Sequence, residues 1–536
     1  MKSVFLENFR INFFYLVKNN LNSFITGLSI ILFVAILFFI ISNFSPVLYN
    51  GNLSLFEKGI SIILLLSFIY SGLHCVGYMD HLIKSLTIYD DILMKKIKVT
   101  MDGKAPSVAI IIPTLNEDPD MVKETILRAK NVDYENFEVI LIDSSTDRDI
   151  RQKTDSMSKE LEIKYIYRDN LRGYKAGSIN DAIEYLDPEF EYILILDSDH
   201  RLKPTVLRDL IPIMENDPDL TFIQTPQYFP MPNNDRLELA YSYQQHIFYK
   251  HICRGLSVND TSYICGTNVI IKLKHLNEVG GMDETCITED ISTSFTLHSQ
   301  GYKSIYMDRV YAEGLAPPSL SAYYGQQLRW SYGTFQNNKR VLRKFFKNPK
   351  SMKSLQWWEY LFLNGTWYFI GVAIFIWLSY PILILLFNLK PLVLGPLNIP
   401  FYIFLVMIIS QTMASYWERG YPLKELILAQ ALFFSLFPVY TKALIYGLTN
   451  KKLKFKVTPK KGVYKTDLKE ILPQITVMIL LSLSIILGLL KVFNGENINT
   501  YPSIIFWASY SLIMLTIFML YFYREDINKY KTSSQK

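Results

Sequence analysis

Residues 192–199 read Tyr192-Ile193-Leu194-Ile195-Leu196-Asp197-Ser198-Asp199. An unbroken apolar run that stops at two acids flanking a serine describes a buried strand with a polar end. A strand apolar on both faces belongs in a parallel sheet covered by helices on both sides. The layout recurs upstream. Ser107–Ile112 is an apolar strand followed by Pro113-Thr114-Leu115-Asn116-Glu117, Glu138–Ile142 ends at Asp143, and Ile163–Tyr167 is a third strand. Between them, 120–131 and 174–186 have helical patterns. This alternation predicts an α/β domain with a parallel sheet and crossover helices. Ligands bind outside the carboxyl ends of such strands, so Asn116, Glu117, Asp143, Asp197 and Asp199 are candidate site residues. No G-x-G-x-x-G follows the first strand and no G-x-x-x-x-G-K-[ST] occurs, which excludes a dinucleotide fingerprint and a P-loop.

Outward from this domain the composition changes. The chain has 536 residues; 50% are hydrophobic and only 19% are charged, against a usual value of about 25%. Mean hydropathy is +0.15. Six stretches, near 22–45, 59–79, 363–388, 398–417, 470–493 and 500–523, are long and apolar enough to span a bilayer, which takes about 20 residues. Lysine and arginine collect in the N-terminal tail, in 80–362, in 418–469 and in the tail with Arg524, Lys529 and Lys531, while the loops near 46–58, 389–397 and 494–499 carry almost none. By the positive-inside rule, six spans leave both ends and the α/β domain in the cytoplasm. The predicted organisation is two spans in 1–80, a catalytic domain over 105–345, two spans in 363–417, two in 470–523, and a cytoplasmic tail over 524–536. Residues 340–360 mix Arg340, Arg343, Lys344 and Lys347 with Phe345, Phe346, Trp357 and Trp358, the pattern of a helix lying in the membrane interface. Residues 422–447, interrupted by Pro438, read as further interfacial helices within a 422–465 unit, or alternatively as a seventh span. The net charge of +6 is modest, and the four cysteines form no C-x-x-C pair. Nucleic acid binding, a zinc site and a disulfide framework are therefore not indicated.

Three clusters carry chemistry. Asp197 and Asp199, after a buried strand, can hold Mg²⁺ or Mn²⁺, because hard cations take carboxylates together with substrate phosphates; solvated loop acids look the same when taken alone. Thr288-Glu289-Asp290, after Gly280-Gly281-Met282-Asp283, opens a helical stretch over 291–300. It offers a general base for a hydroxyl or simply an acidic helix start. Gln326, Arg329 and Trp330 fall at i, i+3 and i+4, on one helix face. A guanidinium fork fits phosphate and an indole gives a sugar ring a flat surface, although a stacked Arg–Trp stripe would have the same spacing. Lys175 is either a phosphate contact or a solvated helix lysine.

In order and spacing these elements resemble the processive branch of glycosyltransferase family 2, and most closely the catalytic subunit of cellulose synthase. The matching residues are Asp143, Lys175-Ala176-Gly177, Asp197-Ser198-Asp199, Gln224-Thr225-Pro226-Gln227, Cys265-Gly266-Thr267, Thr288-Glu289-Asp290, Gly314-Leu315-Ala316-Pro317, Gln326 to Trp330, and Phe455-Lys456-Val457-Thr458-Pro459-Lys460, which is similar to the family's gating loop F-x-V-T-x-K. The resemblance covers about 105–465 and implies a GT-A-type (Rossmann-like) fold. It implies that Thr114, Glu117, Asp143, Lys175, Asp197, Asp199, Gln326 and Arg329 bind a UDP-sugar, with the metal on Asp197 and Asp199. Asp290, with Thr288 and Glu289, would be the catalytic base motif. Trp330 and Cys265 would meet the acceptor sugar, and Thr458 and Lys460 would close over the diphosphate. Ser144 departs from the pattern, which has a second acid there.

The implied reaction is inverting, processive transfer from a UDP-sugar, foremost UDP-glucose, to a growing β-linked polysaccharide that crosses the cell membrane. The implied partners are the donor, the acceptor chain, the bilayer and accessory export subunits. No cyclic-di-GMP control is expected, since about 70 residues follow the gating-like motif and two spans occupy nearly all of them. Trp367, Tyr368, Trp377, Tyr416, Trp417 and Trp507 either line an exit path or form ordinary interfacial belts. One rival reading is non-processive transfer to a lipid carrier, which needs neither Q-x-x-R-W nor the gating-like segment. The other is a transporter, which would show ionisable groups at mid-membrane; the spans offer His74 and little else.

Overall fold

In the computed structural model the described residues are scattered positions within 27–49, then 53–97, 105–230, 235–363, 365–389, 408–410, 412–417, 420–451, 453, 466–496 and 501–533. The central sheet has seven strands: β1 (Val108–Thr114), β2 (Phe137–Asp143), β3 (Lys164–Tyr167), β4 (Tyr192–Ile195), β6 (Leu220–Gln224), β7 (Val269–Lys272) and β8 (Lys303–Tyr306). Their spatial order is β3-β2-β1-β4-β7-β6-β8. Strands β1 to β4 are parallel neighbours, as expected from the sequence. β7 runs antiparallel to both β4 and β6, so the sheet is mixed. A two-stranded ribbon pairs β5 (Arg201–Leu202) with β9 (Ala312–Glu313).

Alternation along β1 builds the two core layers. Val108, Ile110 and Ile112 enter one cluster with the Pro119–Lys130 and Val206–Asn216 helices. Ala109 and Ile111 enter the other with Ala176, Ile179 and Ala182 of the Tyr174–Glu184 helix. Successive side chains on a strand point to opposite faces, so one apolar run serves both layers. The register pairs Thr114 with Asp143, Asp143 with Tyr167, and Ile111 with Ile195. The polar ends of four strands therefore lie along one edge of the sheet.

Among the described residues, five helices are long and apolar enough to cross a membrane: Leu55–Thr87, Ser354–Leu386, Leu423–Leu448, Leu468–Phe493 and Tyr501–Tyr530. Of the expected first span, 22–45, only scattered helical positions are described, and most of the expected 398–417 span lies outside the described residues. Leu423–Leu448, expected as interfacial, has span-like length and composition and consists of two helices, Leu423–Phe434 and Phe437–Leu448. Residues 340–360 are not one helix, which corrects that expectation. The Leu320–Lys347 helix stops at Asn348, a short turn covers Pro349–Ser351, and a new helix starts at Ser354. Pro349 forces the break, because it has no N–H to continue the ladder.

The sheet domain and the apolar helices interlock. The Leu320–Lys347 helix lies against Phe437–Leu448, where Tyr440 donates to the Gln327 side chain at 2.7 Å and a Cβ on Gly447 would fall 2.3 Å from the Phe335 ring. Deeper in, His81 of the Leu55–Thr87 helix meets the Glu359 carboxylate at 2.7 Å, and Asn259 of the sheet domain donates to the same carboxylate at 3.1 Å. All three are buried.

Candidate active site

The site grows from the carboxyl edge of the sheet. β4 ends at Ile195, and Leu196 leads into Asp197, whose backbone N–H donates to Thr267 Oγ1 at 2.8 Å. Asp199 is 3% exposed and accepts from the Leu315 N–H at 3.3 Å, so the Gly314–Pro317 turn covers it. His200 Nδ1 lies 3.2 Å from Asp199 Oδ1. Asp197, Asp199 and His200 each bring one donor atom to within 4.8 Å of the others. His200 Nε2 is buried with no hydrogen-bond partner. Two carboxylates and an imidazole are a fitting donor set for Mg²⁺ or Mn²⁺; Nδ1 faces the acids, while Nε2 packs against Gly314, where a Cβ would fall 2.5 Å from it.

Lys175, in the first turn of the Tyr174–Glu184 helix, forms an ion pair with Asp197 and donates to the Gly266 carbonyl at 2.8 Å. Burial works against its charge, but Asp197, Glu289 and Asp290 outweigh burial and hold its pKa above the ordinary lysine value. A Cβ built on Gly266 would sit 3.5 Å from Asp290 Oδ2 and 3.9 Å from Lys175 Nζ. With φ at +88°, Gly266 takes a turn that brings its backbone close to both groups.

Thr288-Glu289-Asp290 begins the Glu289–Ser299 helix, and Asp290 accepts from the Ile291 N–H at 2.8 Å. Burial raises the Asp290 carboxyl to about 6, against the opposing pull of Lys175. Burial, and then the Asp290 charge, push Glu289 up as well. Arg329 faces the same group: burial opposes its charge while Glu289, Asp197 and Asp290 support it. The Gln326 side chain lies beside the Tyr241 hydroxyl. Thus Lys175, Asp197, Glu289, Asp290 and Arg329, which are distant in sequence, form one electrostatic cluster.

Below the cluster opens a cavity of about 360 Å³ lined by Asp290, Thr288, Cys265 and Trp330 at one end. It continues between the apolar helices past Trp367, Thr412, Gln430, Phe433 and Tyr510. Trp367 thus lines the cavity. Trp377 and Trp507 instead pack on each other in the helix core, with Trp507 Nε1 donating to the Trp377 carbonyl at 3.3 Å. Tyr368 is buried against Phe335 and Phe369, and Trp417 is exposed.

Other candidates lie apart from the cavity. Asp143 is fully buried; Ser145 N–H donates to one oxygen at 2.8 Å and Tyr165 to the other at 3.0 Å. Asp143 thus orders the loop after β2, where Ser144 meets Ser178 at 3.2 Å. Thr114 ends β1 and Glu117 follows three residues later. Thr458 and Lys460 lie outside the described residues. Sequence reasoning passed over His200, although it directly follows Asp199. It also passed over Gln244 and Gln430 in the cavity wall, and gave no role to Gln227 and Gln327, which sit in two of the matching motifs. For Gln430 there was a signal: an amide inside an apolar segment is costly unless it faces a partner or a polar path.

Residues 192–414 match the family model described as glycosyl transferase family group 2. Over 425 residues the chain is 28% identical to cellulose synthase 1 catalytic subunit (UDP-forming) of Komagataeibacter xylinus, covering 76% of this chain and 55% of that protein. Over 291 residues it is 31% identical to the cellulose synthase catalytic subunit (UDP-forming) of Pseudomonas fluorescens, covering 53% of this chain and 38% of that protein. The chain therefore spans about half the length, or less, of these curated relatives. Among solved structures, a mannosyltransferase of Pyrobaculum calidifontis in complex with GDP-Man and Mn2+ aligns with a TM-score of 0.47 at 16% identity, over 74% of this chain and 100% of that one. The expected likeness to glycosyltransferase family 2 and to cellulose synthase catalytic subunits is borne out, as is an α/β domain set between apolar helical segments.

Proposed function

We propose that this chain, a relative of cellulose synthase catalytic subunits, is a membrane-embedded, processive, inverting glycosyltransferase that builds a β-linked polysaccharide from a UDP-sugar. UDP-glucose is the preferred donor, by kinship with UDP-forming cellulose synthases. One observation carries the reading: the cavity that starts at Asp290, Cys265 and Trp330 continues among the apolar helices at Thr412, Gln430 and Tyr510. A sugar added at one end has a path away from the reacting atoms, and the Gln244 and Gln430 carboxamides in its wall suit sugar hydroxyls better than the apolar tail of a lipid carrier. The lysine and arginine bias of the loops places the sheet domain on the cytoplasmic side, with export of the product to the far side.

In this reading Asp290 takes the proton from the hydroxyl at the chain end. That oxygen attacks the anomeric carbon as the bond to the UDP oxygen breaks, and the configuration inverts from α to β. The raised pKa of Asp290 suits a base that must hold the proton through the step. Lys175 and Arg329, held beside the acids, counter charge on the departing diphosphate. Asp197, Asp199 and His200 would hold a divalent cation, which when bound neutralises diphosphate charge. Asp143 sets the loop against which the uracil of the donor rests, and Trp330 orients the acceptor ring by stacking.

The test is reconstitution of the full chain in proteoliposomes with radiolabelled UDP-glucose. We expect UDP release together with a long, β-linked, protease-resistant product inside a glycosidase-protected lumen. A single sugar on a lipid-extractable product overturns the polymer reading.

A further inference from the structure

The Arg524–Ser533 helix, expected from the sequence as part of a cytoplasmic tail, packs into the sheet domain. Its Asp526 is only 4% exposed. One carboxylate oxygen accepts from the Leu320 N–H at 3.1 Å, and the other from the Thr466 N–H at 3.3 Å. Leu320 is the first residue of the Leu320–Lys347 helix, and its N-cap, Ser319, accepts from the Ala322 N–H at 3.3 Å. The first N–H groups of a helix have no partner within it, and the helix dipole favours a negative charge there. Ser319 and Asp526 share these donors, the second from 206 residues away in the chain.

The Arg524–Ser533 helix also braces a second wall of the site. Lys529 pairs with Asp235, and Glu525 lies 3.6 Å from the Arg236 guanidinium. Asp235 is the N-cap of the Arg236–Ile247 helix and accepts from the Leu237 N–H at 3.0 Å. That helix contributes Gln244 and Ile247 to the cavity wall, and Leu320–Lys347 contributes Gln327 and Trp330. Two helices of the wall are thus held at their N-terminal ends by one short helix.

We propose that Asp526 is a positioning residue for sugar transfer: it fixes the start of the Leu320–Lys347 helix and thereby the places of Gln326, Arg329 and Trp330. The inference rests on the synthase reading above and adds a distant residue to the same site. A buried carboxylate has lost its hydration, and two N–H donors offset that loss only while both stay in place. An apolar residue would fill the space without binding either segment, whereas the carboxylate makes the spacing of three segments specific. At 1.5 Å per residue, Gln326 stands roughly 9 Å and Trp330 roughly 15 Å along the helix from Leu320. The helix is continuous over that length, so a shift at its first residue reaches both. Lys175, Asp197 and Asp199 come instead from the end of β4 and the Tyr174–Glu184 helix. Loss of the clasp therefore misaligns the acceptor and the departing diphosphate while the nucleotide still binds.

The test uses the full chain in proteoliposomes with radiolabelled UDP-glucose, wild type beside Asp526→Asn and Asp526→Glu. Asparagine keeps the shape and one acceptor oxygen but turns an amide N–H toward the other donor, so one tie is lost. Glutamate keeps both acceptors and displaces them by a methylene. Isothermal titration with UDP counts the folded sites, and UDP release gives turnover per site. We expect Asp526→Asn to lower kcat per UDP-binding site by about 10-fold or more, the effect of misplacing orienting groups. UDP affinity should stay within about threefold of wild type, the split that marks a loss in the transition state. Asp526→Glu should fall between the two. A purely structural role would lower the melting temperature and the number of UDP-binding sites but leave turnover per site unchanged. That result for Asp526→Asn overturns the inference and leaves the synthase reading standing. If Asp526→Asn binds no UDP, Asp526→Glu is read in its place: reduced turnover per site supports the inference, and wild-type turnover per site overturns it. Loss of UDP binding in both variants overturns it as well. No UDP release by the wild-type chain overturns the synthase reading, and this inference with it.

Discussion

Lys175 and Asp197 form an ion pair across the carboxyl edge of the sheet, and the same ammonium donates to the Gly266 carbonyl at 2.8 Å. Both side chains are partly open, at 20% and 33% exposure, so the pair faces the space a donor would enter. The lysine thereby holds Asp197 beside Asp199 and His200 while screening it from Asp290. Lys175→Met should weaken UDP binding and lower kcat/KM by about 10². Isothermal titration with UDP and initial-rate kinetics would check both, and a variant with wild-type kcat/KM would show that the lysine is only structural.

Asp290→Asn should leave the fold and UDP affinity intact while turnover falls by about 10²–10⁴. The amide preserves shape and the hydrogen bond from the Ile291 N–H but cannot take a proton. Release of labelled UDP, measured beside UDP binding, tests this, and near-normal turnover would remove Asp290 as the base.

The pH profile follows from the same residue. Burial raises Asp290 to about 6, and a base must be unprotonated to act. The rate should therefore climb as pH rises through about 6 and level off above it. The opposite sign, with activity falling over that interval, would point to a required acid instead. Asp290→Asn should flatten the rise, measured as kcat/KM against pH.

Removal of divalent cations should abolish sugar incorporation, with recovery on adding Mg²⁺ or Mn²⁺. Asp199→Ala and His200→Ala should each raise the metal concentration needed for half-maximal rate by about 10-fold or more, since each deletes one donor or its support. Full activity in chelator would sink the metal assignment.

Gly333→Ala tests packing behind the base. A Cβ at Gly333 would lie 2.4 Å from Thr288 Cγ2 and 2.6 Å from its Oγ1, so the Leu320–Lys347 helix and the Thr288–Asp290 turn must separate. Overpacking of this kind costs about 1–3 kcal/mol. We expect a lower melting temperature and a loss of kcat larger than the loss of UDP affinity.

β1, β2 and β4 were legible because each is an apolar run ending in a polar residue, as at Leu196–Asp197, and β3 because its aromatic and β-branched residues favour a strand. β6, β7 and β8 were not. β8 joins Lys303 and Ser304 to Ile305 and Tyr306 and so has no apolar run. Their burial comes from neighbours that lie far away in sequence. The Arg148–Glu160 helix was also missed, because only Thr154, Met157 and Ser158 of it are buried and it carries few apolar residues.

The sequence by itself determined the chemistry that is available. It contains acids after buried strands, a Gln-Arg-Trp helix face and apolar segments long enough for a bilayer, because residue type and local spacing set hydrogen-bonding capacity, charge and hydropathy. Only the tertiary structure decided which groups meet. Convergence of Lys175, Asp197, Asp290 and Arg329, enclosure of Asp143 within its own loop, and a path from Trp330 to Gln430 all depend on contacts between segments far apart in the chain. No local pattern encodes those contacts; packing of the sheet domain against the apolar helices creates them.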